Sequence, residues 1–131
     1  MVETSHTDIC LVIDVKKSRF RIYKSALHLL GDPKLIQLLF NPETRVVVIK
    51  SVDHTVPGGQ ELKVLMSKQG NGGSFEFYSK SLISQMCNVD NRLMCNCTYR
   101  MLGEVIPTER LARFSMNTMA RVMEGHEDDE A

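Results

Sequence analysis

The sequence predicts an α+β fold, a β-rich single domain of two diverged pseudo-symmetric repeats with short helices. Three observations carry this expectation. Phe20-Arg21-Ile22-Tyr23-Lys24-Ser25-Ala26-Leu27 matches Phe75-Glu76-Phe77-Tyr78-Ser79-Lys80-Ser81-Leu82 in pattern, 55 positions later. Alternating and β-branched runs are separated by brief stretches of helical period. At 131 residues, 43 % hydrophobic and 24 % charged, the chain is long enough to bury one core and too apolar to remain unfolded.

Asp8 to Val15 is aliphatic and β-branched and predicts a strand. After the polar break Lys16-Lys17-Ser18, Phe20 and Ile22 alternate with Arg19, Arg21 and Tyr23, so a second strand turns its apolar side inward and its basic side outward. Ser25 to Leu30 has a capping-type residue and good helix formers and ends at Gly31-Asp32-Pro33, a helix stop. Leu35 to Phe40 fits either period and is read as a strand from its context. Asn41-Pro42-Glu43-Thr44 is turn chemistry, and Arg45 to Lys50 is a β-branched strand that completes a hairpin.

Asp53 to Gln60 reads as a loop, Leu62, Val64 and Met66 as a strand, and Gly70-Asn71-Gly72-Gly73 as a turn. That glycine cluster lacks the Gly-Lys-Ser/Thr ending of a phosphate loop. Ser74 to Tyr78 then predicts a strand and Ser79 to Cys87 a helix with Leu82, Ile83 and Met86 on one stripe. Leu93 to Leu102 and Leu111 to Met116 are expected to pair across Gly103 to Arg110. The order strand, strand, helix, strand, strand thus occurs twice, in repeat one (about 8–52) and repeat two (about 60–116), within one globular domain over 1–125. A short helix over 117–124, with Met116, Met119 and Met123 on a core-facing stripe, and an acidic tail over 126–131 complete the chain.

Sixteen basic and sixteen acidic residues cancel, so no global field draws the chain to nucleic acid, but the charges are segregated. Lys16, Lys17, Arg19, Arg21 and Lys24 lie within nine residues that hold no acid. Glu124, Glu127, Asp128, Asp129 and Glu130 lie within the last eight. The basic stretch fits phosphate contact through counterion displacement, and more readily a solvated strand face that resists aggregation.

The segment from Arg19 to Leu27, continuing through Leu30-Gly31-Asp32, resembles the opening of the AbrB-type and MraZ-type transcription factors, whose β-barrels are assembled from strand, short-helix and hairpin units. The match covers about 30 residues per copy. Tyr23 stands where that family usually has proline, no glycine opens the strand, and each copy carries an extra leading strand. The resemblance implies a small DNA-binding protein of transcription regulation in which, by position, Lys17, Arg19, Arg21 and Lys24 meet double-stranded DNA; with Lys16 the whole basic stretch from Lys16 to Lys24 is expected on its phosphates. The second copy has Glu76 and Ser79 at the matching places, so a DNA surface is expected to be one-sided or completed by a homodimer. The rival expectation is a non-enzymatic protein-binding module, such as a small inhibitor or adaptor from a mobile element, that uses hairpin edges or the acidic tail.

No nucleophile, base and orienting acid occur at a recognisable spacing, so no catalytic residue and no cofactor are expected. His6, His28, His54 and His126 are scattered. Cys87, Cys95 and Cys97, with His54, lack the Cys-x2-Cys spacing of structural zinc and are read as buried thiols rather than a metal site. No apolar run approaches the roughly 18 residues of a membrane span, and Met1 to His6 has neither a basic nor an apolar leader, which predicts a cytoplasmic protein without a membrane partner.

Overall fold

Residue alternation sets the first hairpin. In β1 (His6–Asp14) and β2 (Arg19–Tyr23), Leu11, Ile13, Phe20 and Ile22 all turn to one face and are fully buried. The computed structural model describes residues 6–54, 61–63, 74–94 and 96–122. The hairpin turns at Val15 to Ser18, where Ser18 adopts a left-handed φ of 55°.

Helix α1 (Lys24–Leu29) follows directly and buries Ala26 and Leu27. Gly31 ends it at φ 90°, a conformation that favours a residue without Cβ, and the Leu27 carbonyl accepts the Leu30 and Asp32 amides, each at 3.0 Å. The ambiguous Leu35 to Phe40 segment is strand, as expected. Within β3 (Leu35–Asn41), Ile36 and Leu38 face the core, while the backbone pairs with β4 (Val46–Ser51) on one side and β5 (Glu61–Lys63) on the other. The turn at Pro42 is held by the Asn41 side-chain carbonyl, which accepts the amides of Glu43 (2.9 Å) and Thr44 (3.2 Å).

Strand β6 (Ser74–Tyr78) lies beside β2, with Phe77 opposite Phe20 and the two rings stacked at 5.1 Å. In helix α2 (Lys80–Val89), the Ser79 hydroxyl caps the Leu82 amide at 3.1 Å, and the expected stripe of Leu82, Ile83 and Met86 is buried. Strands β7 (Thr98–Ile106), β8 (Leu111–Ser115) and β9 (Ala120–Arg121) follow.

Every pairing is antiparallel, in the order β5-β3-β4-β8-β7-β1-β2-β6, with β9 also on β7. The sheet curls into a half-barrel whose inner face shares one hydrophobic core with both helices. Each fully buried large side chain there, such as Phe20, Phe114 or Met101, contributes about 1.5–3 kcal/mol.

Four sequence expectations are corrected. β7 starts at Thr98 and not at Leu93, and the N-cap of α1 is Tyr23, with no side-chain cap hydrogen bond, and not Ser25. Gly103 is not in the linker: β7 runs on to Ile106, and the connection is only Pro107 to Arg110. Gly103 serves as a strand residue because the β8 backbone and the Phe114 ring occupy the space of any side chain at that point. The helix expected over 117–124 is instead a 3-10 turn at Met116–Thr118 followed by β9. β8 covers only the C-terminal half of β7, which leaves the edge at Tyr99 and Arg100 open, and Arg121 and Ala120 take it up. The Thr118 hydroxyl bridges the interruption by accepting the Leu102 amide at 2.8 Å. Met116 is buried and Met119 partly buried, as the stripe implied, while Met123, the acidic tail, Cys95 and the Gly70 to Gly73 turn lie outside the described residues.

Candidate nucleic-acid interface

With Phe20 and Ile22 in the core, period two sends Arg19, Arg21 and Tyr23 to the convex face. Both arginines meet carboxylates there. Arg19 faces its register partner Asp14 at 3.2 Å. Arg21 faces its partner Glu76 at 2.7 Å and donates to it through Nε at 2.9 Å, and Arg19 reaches the other Glu76 oxygen at 4.0 Å. Burial lowers the Arg21 pKa, but the Glu76 carboxylate and the Tyr23 hydroxyl together outweigh it and hold the guanidinium more firmly charged than usual. The Glu76 carboxylate therefore sits between two guanidinium groups, an arrangement that also suits a phosphate.

The three lysines are placed differently. Lys16 and Lys17 are exposed at the tip of the β1–β2 turn, and Lys24 is exposed at the start of α1, at the opposite end of β2. At about 3.3 Å per residue the two ends are some 20 Å apart.

Long-range pairing adds two cations that local sequence pattern did not bring forward. Val12 of β1 is flanked by Arg21 on β2 and by the exposed Arg100 on β7, so two arginines share a row, two strand spacings or about 10 Å apart. The Ser79 amide donates to the Ser18 carbonyl at 3.0 Å, which sets the exposed Lys80 beside the Lys16–Lys17 tip. Lys16, Lys17, Arg19, Arg21, Lys24, Lys80 and Arg100 lie on these strands or at their ends, seven positive charges against the two carboxylates of Asp14 and Glu76 that Arg19 and Arg21 pair with, in a chain whose total is zero. Cys10 is on the same convex face; burial pushes its thiol pKa up and Arg100 only partly offsets this, so it is a poor nucleophile.

The remaining convex face is more apolar. Val46, Leu102, Gly103, Glu104, Arg113 and Ser115 line a groove of about 450 Å³, in which Arg113 and Glu104 are paired and Leu102 is 53 % exposed. Near α2, the buried Asp90 carboxylate is clasped by Arg92, whose NH2 group also donates to the Met116 carbonyl at 3.1 Å. The Arg92 side-chain hydrogen bond to the Asp90 carboxylate holds its pKa below the usual carboxylate range against the opposing effect of burial. Among the described residues, no group of three or more His, Cys, Asp and Glu side chains is placed to hold a metal ion.

No protein-family model matches the chain, nor does any curated protein or solved structure.

Proposed function

We propose that this is a non-enzymatic DNA-binding regulatory protein, built from two diverged copies of a strand-strand-helix-strand-strand unit, that holds duplex DNA on the convex face of β2, β1 and β7. The observation that carries the DNA reading is the Arg21–Val12–Arg100 row with the Lys16–Lys17–Lys80 tip. It gathers cations from three separate stretches of sequence onto one face. The resemblance to AbrB-type and MraZ-type proteins, noted at Arg19 to Asp32, points the same way.

The two-copy part rests on paired details. Phe20 and Ile22 correspond to Phe75 and Phe77 at an offset of 55, and all four are buried. From Ile36 onward the offset is 65: Pro42 corresponds to Pro107, Val47 to Ala112, Ile49 to Phe114 and Ser51 to Met116. Arg45 and Arg110 correspond at the same offset and are both left-handed, at φ 60° and 56°. The Met116 amide donates to the Arg45 carbonyl and the Ser51 amide to the Arg110 carbonyl, each at 2.9 Å, so one hydrogen bond is the counterpart of the other. The ten-residue difference between the offsets falls between β6 and β7, where α2 has ten residues against six in α1.

The test is a gel-retardation and anisotropy titration on duplex DNA. With about four phosphates neutralised, affinity should fall about a hundredfold between 50 and 200 mM salt. Arg100→Ala should lower the salt slope by about one. Absence of retardation at low salt overturns the DNA reading. The groove at Leu102 favours a protein partner as the second reading: its capture from lysate should survive nuclease and be lost in Leu102→Asp.

A further inference from the structure

We infer that β5 and β6 pair with each other and close the half-barrel into an eight-stranded barrel. In the two-copy reading, on which this inference rests, β1, β2, β3 and β4 correspond to β5, β6, β7 and β8. The observed pairings then fall into matched sets. β3–β4 answers β7–β8, β1–β7 answers β5–β3, and β2–β6 and β4–β8 each join a strand to its own counterpart. Among the described residues β1–β2 alone lacks a counterpart pairing, and the strands that would supply it are the two at the ends of the sheet order. A closed ring β1-β2-β6-β5-β3-β4-β8-β7 removes both edges, whose unpaired amides and carbonyls otherwise invite pairing with other chains.

The register of the missing ladder follows from the existing ones. Met101 pairs with Leu11, and its counterpart Ile36 pairs with Leu62, so Leu62 is the counterpart of Leu11. Leu11 pairs on its other side with Ile22, whose counterpart is Phe77. Leu62 therefore comes opposite Phe77, Glu61 opposite Tyr78, and Lys63 opposite Glu76.

The register is tested by cysteine cross-linking in the full chain, with peptide mapping to separate the new disulfide from the natural cysteines. Glu61→Cys/Tyr78→Cys is the in-register pair, and Lys63→Cys/Tyr78→Cys is displaced by two residues on the same strand. The in-register pair should oxidise within one chain roughly tenfold faster, because Cα atoms more than about 7 Å apart are not bridged without backbone movement. Equal rates for the two pairs, no cross-link, or a disulfide between two chains overturns the closure. Such an outcome leaves the matched hydrogen bonds at Arg45 and Arg110 in place, and it is independent of whether DNA is retarded.

Discussion

Gly103→Ala is the sharpest test of how the β7–β8 hairpin is packed. A Cβ at this position would overlap the Arg113 carbonyl oxygen and Cδ2 of Phe114 and stand 2.8 Å from Cε2 of the same ring. The ring is fully buried, and the carbonyl belongs to the strand that pairs with Gly103 through Phe114. One methyl group therefore displaces backbone and ring together, which costs about 2–3 kcal/mol, in the range of overpacked cores. For a chain of this size that is a fall in Tm of about 8–12 °C. Phe114→Leu alone should cost about 1–2 kcal/mol through the lost ring. Combined with Gly103→Ala it should recover about 1 kcal/mol, and no more, because the carbonyl contact remains. The assay is a thermal and urea melt of the two single variants and the double variant. A Gly103→Ala melt within about 2 °C of the parent, or strict additivity in the double variant, refutes the packing argument.

Asp90→Asn should destabilise the fold by about 1–3 kcal/mol at neutral pH, read by urea melts, since the Arg92 clasp and the amide bonded to Asp90 both lose a charged acceptor. The Asp90 pKa is lower in the folded than in the unfolded chain, so its stabilisation is complete above about pH 5 and disappears as pH falls through the folded value; Asp90→Asn should flatten that acid limb. Ser79→Ala removes the α2 cap and should cost about 1 kcal/mol, with the loss appearing first as faster amide exchange at Leu82. Arg45→Gly relieves a left-handed residue and should raise stability by up to about 1 kcal/mol, whereas Arg45→Val should lower it; the same sign for both variants would contradict the strained-turn reading.

What the sequence made legible was local. The α2 stripe, the Pro42 hairpin and the inward Phe20 and Ile22 follow from period and turn chemistry within a dozen residues, and all stand in the structure. The misread elements depend on partners far along the chain. Gly103 looked like a linker because glycine punctuates loops, and only the approach of Phe114 and Arg113 explains it inside a strand. The segment after Met116 has a helical methionine period, yet the exposed edge of β7 offers its backbone ladder bonds that a short isolated helix does not match. Arg100 and Lys80 entered the basic face through the β1–β7 register and the Ser79–Ser18 hydrogen bond, neither of which leaves a trace in nearby residues.

The difference between Arg21 and Glu76 acquires a physical reason in the two-copy reading. In that reading these positions are counterparts at an offset of 55, and because they are also direct partners in the β2–β6 ladder it puts an approximate two-fold axis between them. At such a point, two identical copies place a residue against itself, and arginine against arginine across strands is destabilising. A tandem chain is free of that constraint because each half mutates separately. Glutamate at 76 turns the self-contact into an ion pair, with Arg21 at 2.7 Å and Arg19 at 4.0 Å. The pair is exposed and contributes little stability by itself, about 0–1 kcal/mol. In the two-copy reading its larger effect is on charge: one copy's cation is lost from the axis, the positive charge stays with Lys16, Lys17, Lys80 and Arg100, and the inward positions Phe20, Ile22, Phe75 and Phe77 remain apolar and buried.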